Sequence, residues 1–402
     1  MLSSYARNAI VLGLLSAIGP FAIDFYLPAL PSIAADYGAS TAATQMTLMV
    51  FFLAFGVFQL VYGPASDALG RKPPLYFGLA VFALAGIGCG LAPTIEWLIF
   101  FRFVQGIGAA AVMVIPRAII RDLHTGIEAT RLMSLVMLVL SVSPILAPLA
   151  GSGLIAILDW RAVFVAITVL AVVTIVLVAV ILPETRPREE RVGGDLGGVL
   201  RACGQLLRHR RFLALTFIGA FGMSSFFAFI ASSSFVYVEH FGLTPTEYSF
   251  AFSVNAIGFI GASQFAARLA TRFGFGRVVT AAVTGYLVMS LALLAVTLAG
   301  VDSLAVLMVM LFFAFGCLGL IIPATMVLAL EEHGPIAGMA SALGGTLQFL
   351  TGAVMIVIVS LAADGSTLPM VATIAACSVA AFILAQATLG RRRRPLASAP
   401  AE

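Results

Sequence analysis

The chain has 402 residues, 61% of them hydrophobic and only 10% charged, with a net charge of +4. A soluble domain carries about 25% charged residues, so no water-soluble fold of this length could hide so much apolar surface. The apolar runs are long and do not alternate, which excludes a membrane β-barrel built from segments of about 10 residues.

What remains is an all-α polytopic membrane protein. Backbone polar groups in lipid must be paired internally, so each run is read as a helix. Twelve spans are predicted, numbered here in chain order. Helices 1 to 6 lie at about 8–30, 44–64, 74–92, 96–117, 132–157 and 161–182. Helices 7 to 12 lie at about 212–238, 247–269, 277–299, 303–329, 336–362 and 367–389. Many are near the roughly 20 residues that cross a hydrocarbon core of about 30 Å. The first run has no cleavage pattern and is expected to stay as helix 1.

Basic residues crowd into alternate gaps: Arg7, Arg71, Lys72, Arg117, Arg121, Arg131, the cluster from Arg186 to Arg211, Arg268, Arg272, Arg277 and Arg391–Arg394. Acids mark the other gaps, among them Asp36, Glu96, Asp159 and Glu239. By the positive-inside bias both termini are expected in the cytoplasm. The positive charge therefore follows membrane topology rather than nucleic acid, and the basic tail at 391–402 is expected to meet anionic lipid.

Two charges stand inside apolar helices. Asp24 in helix 1 lies four residues before Pro28, in Asp24-Phe-Tyr-Leu-Pro28-Ala-Leu-Pro31, where proline disturbs helix hydrogen bonding. Arg102 in helix 4 opens a face shared with Gln105, Gly106, Ala109 and Met113. Intramembrane charges cost roughly 2.5–3.5 kcal/mol on insertion scales and often line ion or substrate paths. Both are expected about 10–15 Å from the outer helix ends at 1.5 Å per residue, so they could share one pocket.

Between helices 2 and 3 the chain reads Gly63-Pro-Ala-Ser-Asp67-Ala-Leu-Gly70-Arg71-Lys72, with Asp122 at the end of helix 4 a candidate partner for Arg71. A weaker copy, from Ala267 through Gly274 to Arg277, lies between helices 8 and 9. The spacing suggests duplicated six-helix halves with a substrate site between them. The halves are expected at 1–183 and 212–390, joined by a polar linker at 184–211, of which 196–211 could form a basic amphipathic surface helix or a flexible tether. Helix 5 carries Ser143-Pro144-Ile-Leu-Ala147-Pro148-Leu-Ala-Gly151-Ser152, whose small residues permit close helix approach and whose prolines permit bending.

The Gly63–Lys72 loop resembles the loop signature of the major facilitator superfamily, and the Arg102 segment resembles that family's helix-4 signature. The Asp24–Pro31 segment resembles helix 1 of the bicyclomycin-resistance branch of its drug:proton antiporters. Pro144, Ala147, Pro148, Gly151 and Ser152 resemble an antiporter motif, with Ala147 and Ser152 in place of glycines. The resemblance implies a monomeric transporter of the bacterial inner membrane with no cofactor, driven by the proton gradient. Asp24 would carry the proton, with Arg102 as its charge partner. Arg102, or a cationic or polar drug, moving relative to Asp24 would switch its protonation. Gly63, Asp67, Gly70, Arg71, Lys72 and Asp122 would form a conformational latch. Substrate contacts are expected from Tyr26, Gln105, Met113, Phe226, Phe227, Asn255, Phe313 and Gln348, since small-molecule pockets are mainly apolar and aromatic. The implied cargo is a small amphipathic antibiotic such as bicyclomycin, a phenicol or a sulfonamide.

Two alternatives stand beside this reading. A metabolite or amino-acid transporter would share the fold. A membrane-embedded enzyme would need clustered His, Asp or Glu, or a Ser/His pair within helices, and the spacing offers neither. Cys89, Cys203, Cys317 and Cys377 are scattered without metal or redox spacing, so no metal is expected. No phosphate loop is present, which argues against ATP as the energy source. Glu331 and Glu332 are expected to pair with Arg272 or Arg277.

Overall fold

A computed structural model describes residues 4–124, 126–191 and 196–390. The predicted basic tail at 391–402 and the linker centre at 192–195 lie outside the described residues. Twelve helices are long and apolar enough to cross a membrane: Arg7–Tyr37, Thr41–Leu69, Lys72–Leu91, Ile95–Leu123, Gly126–Ile157, Arg161–Ile181, Arg210–His240, Pro245–Phe273, Phe275–Leu298, Leu304–Leu330, Ala337–Leu361 and Leu368–Leu389. They match helices 1 to 12 in order. Six traverses return the chain to its starting side, so its start, the 182–209 linker and its end share one face. That face is called the linker end here.

The packing repeats. In the first half helix 1 packs on 5 and 6, helix 2 on 4, and helix 3 on 4 and 6. In the second half helix 7 packs on 11 and 12, helix 8 on 10, and helix 9 on 10 and 12. The halves meet along two seams, helix 2 against 11 and helix 5 against 8. Adding six to each number maps one half onto the other and exchanges the two seams, as expected for duplicated halves around an axis along the membrane normal. The turns agree: Gly70 and Gly274 both have positive φ, +93° and +84°.

Local sequence sets the boundaries. The Ser40 side chain accepts from Ala43 N to start helix 2, and Thr244 with Glu247 forms a capping box before helix 8. Pro28 lacks the N–H that would bond the Asp24 carbonyl. Helix 1 accordingly breaks after Asp24, passes through a tight turn at Leu27–Ala29, and re-forms over Leu30–Tyr37. It therefore runs seven residues beyond the expected end at 30. Asp36, expected in an outer loop, sits in the last turn, where it accepts from Trp160 Nε1 at 3.1 Å and pairs with Arg161 at 3.0 Å.

The linker contains a helix, Leu196–Arg208, against helices 7 and 11. Leu206 is buried and Leu200 exposed, as the amphipathic reading requires. One pairing is corrected: Glu332 meets Arg211, with His209 at 3.8 Å, rather than Arg272 or Arg277. Arg211 is the first-turn cation of helix 7, and helices 7 and 10 pack together, which places it nearer than the helix 8–9 turn.

Candidate functional site

The break in helix 1 presents Asp24 to the second half. Helix 5 approaches the break so closely that a Cβ on Gly151 would lie 2.3 Å from the Phe25 carbonyl oxygen. The turn after Asp24 also touches helices 7 and 8. Asp24 is 5% exposed, and no hydrogen bond or ion pair to its carboxyl is found among the described residues.

Arg102 is fully buried inside the first half, with its guanidinium 4.6 Å from the Tyr26 ring centroid and 4.3 Å from that of Phe51. Its Nη1 donates to the Ala22 carbonyl at 3.1 Å and to Gln105 Oε1 at 2.7 Å. Arg102 thus grips the helix 1 backbone two residues before Asp24. Among the described residues it forms no ion pair with Asp24: two rings cover the guanidinium, its Nη1 bonds go to neutral oxygens, and its Nε and Nη2 find no acceptor there.

Helix 2 reads the seam from end to end. Near the opposite end Gln45 Nε2 donates across the halves to the Ala231 carbonyl at 3.0 Å. Farther along, Phe52 stacks on Phe227 at 4.4 Å and Phe349 lies against both, forming an aromatic layer across helices 2, 7 and 11. Thr346 Oγ1 then donates to the Gly56 carbonyl at 2.8 Å. Beyond these closures Gln59 lines a cleft of about 170 Å³ between the halves on the linker side, shared with Met113, Arg117, Thr216, Thr325 and Gln348. On the second seam the Ser249 and Ser253 hydroxyls of helix 8 lie 2.9 and 3.1 Å from the Pro148 and Ile145 carbonyls of helix 5, each sharing its one proton with a carbonyl of its own helix, Pro245 at 2.9 Å and Ser249 at 2.8 Å. The halves are closed at the opposite end and parted at the linker end. The cleft is smaller than the roughly 300–1,000 Å³ of typical drug sites, so it must widen to take a drug-sized guest.

The expected substrate contacts divide. Met113 and Gln348 line the cleft, and Phe227 belongs to its aromatic floor. Tyr26 shares a hydrogen bond with Thr47 at 2.9 Å, and Gln105 holds Arg102, so both serve the buried core of the first half. Phe226 packs among Phe259, Phe315 and Phe252, and Asn255 donates to Tyr237 at 3.3 Å, both within the second half. Phe313 is 56% exposed on the outer face, toward lipid, which removes it from the site. Gln59, Arg117, Thr216 and Thr325 were not anticipated. Gln59 was the findable one, a polar residue within an apolar helix, whereas Arg117 at the predicted end of helix 4 read as a positive-inside charge.

At the linker end of the first half, Arg71 is 3% exposed. It donates to Asp122 Oδ2 at 2.7 Å, Asp67 Oδ1 at 2.7 Å and Ser66 Oγ at 2.9 Å. Burial pulls the guanidinium down, but the Asp122 and Asp67 hydrogen bonds outweigh it and hold it above its usual range. Glu184, absent from the sequence reading, accepts from Arg71 N at 2.8 Å and Lys72 N at 3.0 Å and so caps helix 3. Burial raises the Glu184 carboxyl, but these backbone donors and Arg186 N bring it below its usual range. Gly63 lies within helix 2. Among the described residues the Arg71 contacts stay within the first half and the start of the linker, so this charge cluster does not bridge the halves here.

The model of the Major Facilitator Superfamily matches residues 12–356. The chain belongs to the major facilitator superfamily. An uncharacterized transporter of this superfamily from Bacillus subtilis, YdgK, is 33% identical over 86% of this chain and 87% of its own. The bicyclomycin resistance protein homolog of Haemophilus influenzae is 30% identical over 92% of this chain and 93% of its own. Multidrug resistance protein MdtL of Escherichia coli is 30% identical over 59% of this chain and 60% of its own. Among solved structures, a D-xylose–proton symporter superposes with a TM-score of 0.74 at 14% identity, over 95% of this chain and 97% of that one. This facilitator is a transporter rather than an enzyme.

Proposed function

We propose that this facilitator exports small amphipathic compounds in exchange for protons, with the linker end facing the cytoplasm. The basic residues gathered at that end support the orientation. The names carried by the relatives from Haemophilus and Escherichia support an antibiotic-type cargo, of the bicyclomycin, phenicol or sulfonamide kind.

The observation that carries the proton half is Asp24, a carboxyl with no described partner, set in the seam that closes the opposite end. An unpaired buried charge is expensive, so opening and closing this seam is coupled to the proton on Asp24. Arg102 acts through the backbone of the same helix, holding the Ala22 carbonyl. Cargo binds in the cleft, whose lining does not include Asp24. This replaces direct switching of Asp24 by cargo with coupling through the seam.

The test is drug export from proteoliposomes under an imposed pH gradient. Asp24→Asn is expected to abolish gradient-driven export while cargo binding survives. Full gradient-driven export by Asp24→Asn would overturn the assignment of the proton site. An efflux-deficient host that gains resistance to no antibiotic would favour a metabolite as cargo.

A further inference from the structure

The cleft presents charge of one sign. Arg117 of helix 4 lines it, and its one described hydrogen-bond contact is the Met113 sulfur at 3.8 Å. No acidic side chain is among the residues lining the cleft, and no ion pair to Arg117 is found among the described residues. A second donor stands beside it. Gln59 is 7% exposed, and its Nε2 finds no acceptor among the described residues. Thr325 Oγ1 spends its proton on the Ile321 carbonyl of its own helix, at 2.9 Å. Thr216, Ser341 and Gln348 add neutral polar groups, and the rest of the lining is apolar or small, with Met113, Met326 and Phe349 its thioether and aromatic part.

Buried donors left without acceptors carry a desolvation penalty that a guest can relieve. An arginine fork is matched by a carboxylate, a phosphate or a comparable oxyanion. A cationic guest would meet Arg117 with no acid to offset the repulsion. Resting on the export reading above, we infer that the cleft selects amphipathic cargo carrying an anionic group, which Arg117 and Gln59 hold while the apolar body lies toward Met113 and Phe349. Asp24, the one acid deep in a helix, sits in the closed seam outside this lining and does not alter the sign.

The experiment uses the full chain in phosphatidylcholine nanodiscs, where no anionic headgroup competes. Three probes share one scaffold: biphenyl carboxylate, biphenyl carboxamide and biphenylmethylammonium. Binding is read by calorimetry at neutral pH for the wild type, Arg117→Gln and Arg117→Lys. The carboxylate is expected to bind at least about tenfold tighter than the ammonium probe, the scale of one charge-assisted hydrogen bond. Arg117→Gln should remove that advantage and leave the carboxamide unchanged, while Arg117→Lys keeps part of it. The charge series on the wild type stands even if a variant does not fold. Equal binding of all three probes, or an undiminished carboxylate preference in Arg117→Gln, would overturn the inference and leave proton-driven export standing. A carboxylate preference without gradient-driven export would uphold it and sink the export reading. No binding by any probe would overturn the inference and leave the export reading to the proteoliposome test.

Discussion

Tyr26 and Phe51 hold the Arg102 guanidinium between their rings, and Tyr26 is fixed in turn by Thr47. Two substitutions separate these roles. Tyr26→Phe removes one hydrogen bond and keeps the ring, so it should cost about 1 kcal/mol. Tyr26→Ala also removes a fully buried ring and should cost about 3–5 kcal/mol. Thermal unfolding in detergent ranks them, and equal effects would show that the ring does not support Arg102. The sequence announced Arg102 by its cost in an apolar helix. It did not announce the partner, because rotation about each helix axis decides whether a guanidinium meets a carboxylate or two rings. Residues on uniformly apolar helices were harder still. Helix 10 has no charged residue between Leu304 and Leu330, so no polar marker separates lipid-facing Phe313 from buried Phe315.

Helix 5 and the linker are the elements whose contacts carry most consequence. Gly151 lets helix 5 rest on the broken turn of helix 1. Gly151→Leu drives a side chain into the Phe25 backbone and should cost about 1–3 kcal/mol or more, seen as a lowered melting temperature, whereas Gly153→Ala, with open space at its Cβ, should be mild. The close approach was legible as a small-residue pattern; its target was not, because the irregular turn of helix 1 places it. The linker offers a pH test. The Glu184 carboxyl titrates below its ordinary 4.5 in the folded chain. Its contribution is therefore complete above that value and is lost as pH falls through the folded value. Hydrogen exchange at the start of helix 3 should stay slow at neutral pH and quicken in acid below about 4.5. In Glu184→Gln it should be quick at both, and a flat acid response in the wild type would remove Glu184 from the cap.

At the scale of the whole molecule, neutral hydrogen bonds hold the two halves shut at the opposite end. Ser249 and Ser253 each contribute about 0.5–1.5 kcal/mol. The double change to Ala should shift the equilibrium roughly tenfold toward opening at that end, read as wider spin-label distances between the outer ends of helices 5 and 8. Unchanged distances would show that the serines do not hold the seam. Twelve spans, two halves and the Gly70 turn were legible because length, charge and glycine each obey a one-dimensional rule. The seams were not, since they join residues a hundred or more positions apart through groups as common as serine and glutamine.

Asp24 stands at the seam of helices 5 and 8, and neither it nor the turn that follows it lines the cleft. If, as proposed, Asp24 carries the proton and the cleft the cargo, the two do not compete for the same atoms, and no steric exclusion stops both from being bound, or neither. The exchange ratio becomes a matter of energy: each futile cycle is suppressed only by the difference between opening the seam with the right occupant and with the wrong one. A variant that loosens the seam should still transport, but should slip, leaking protons without cargo.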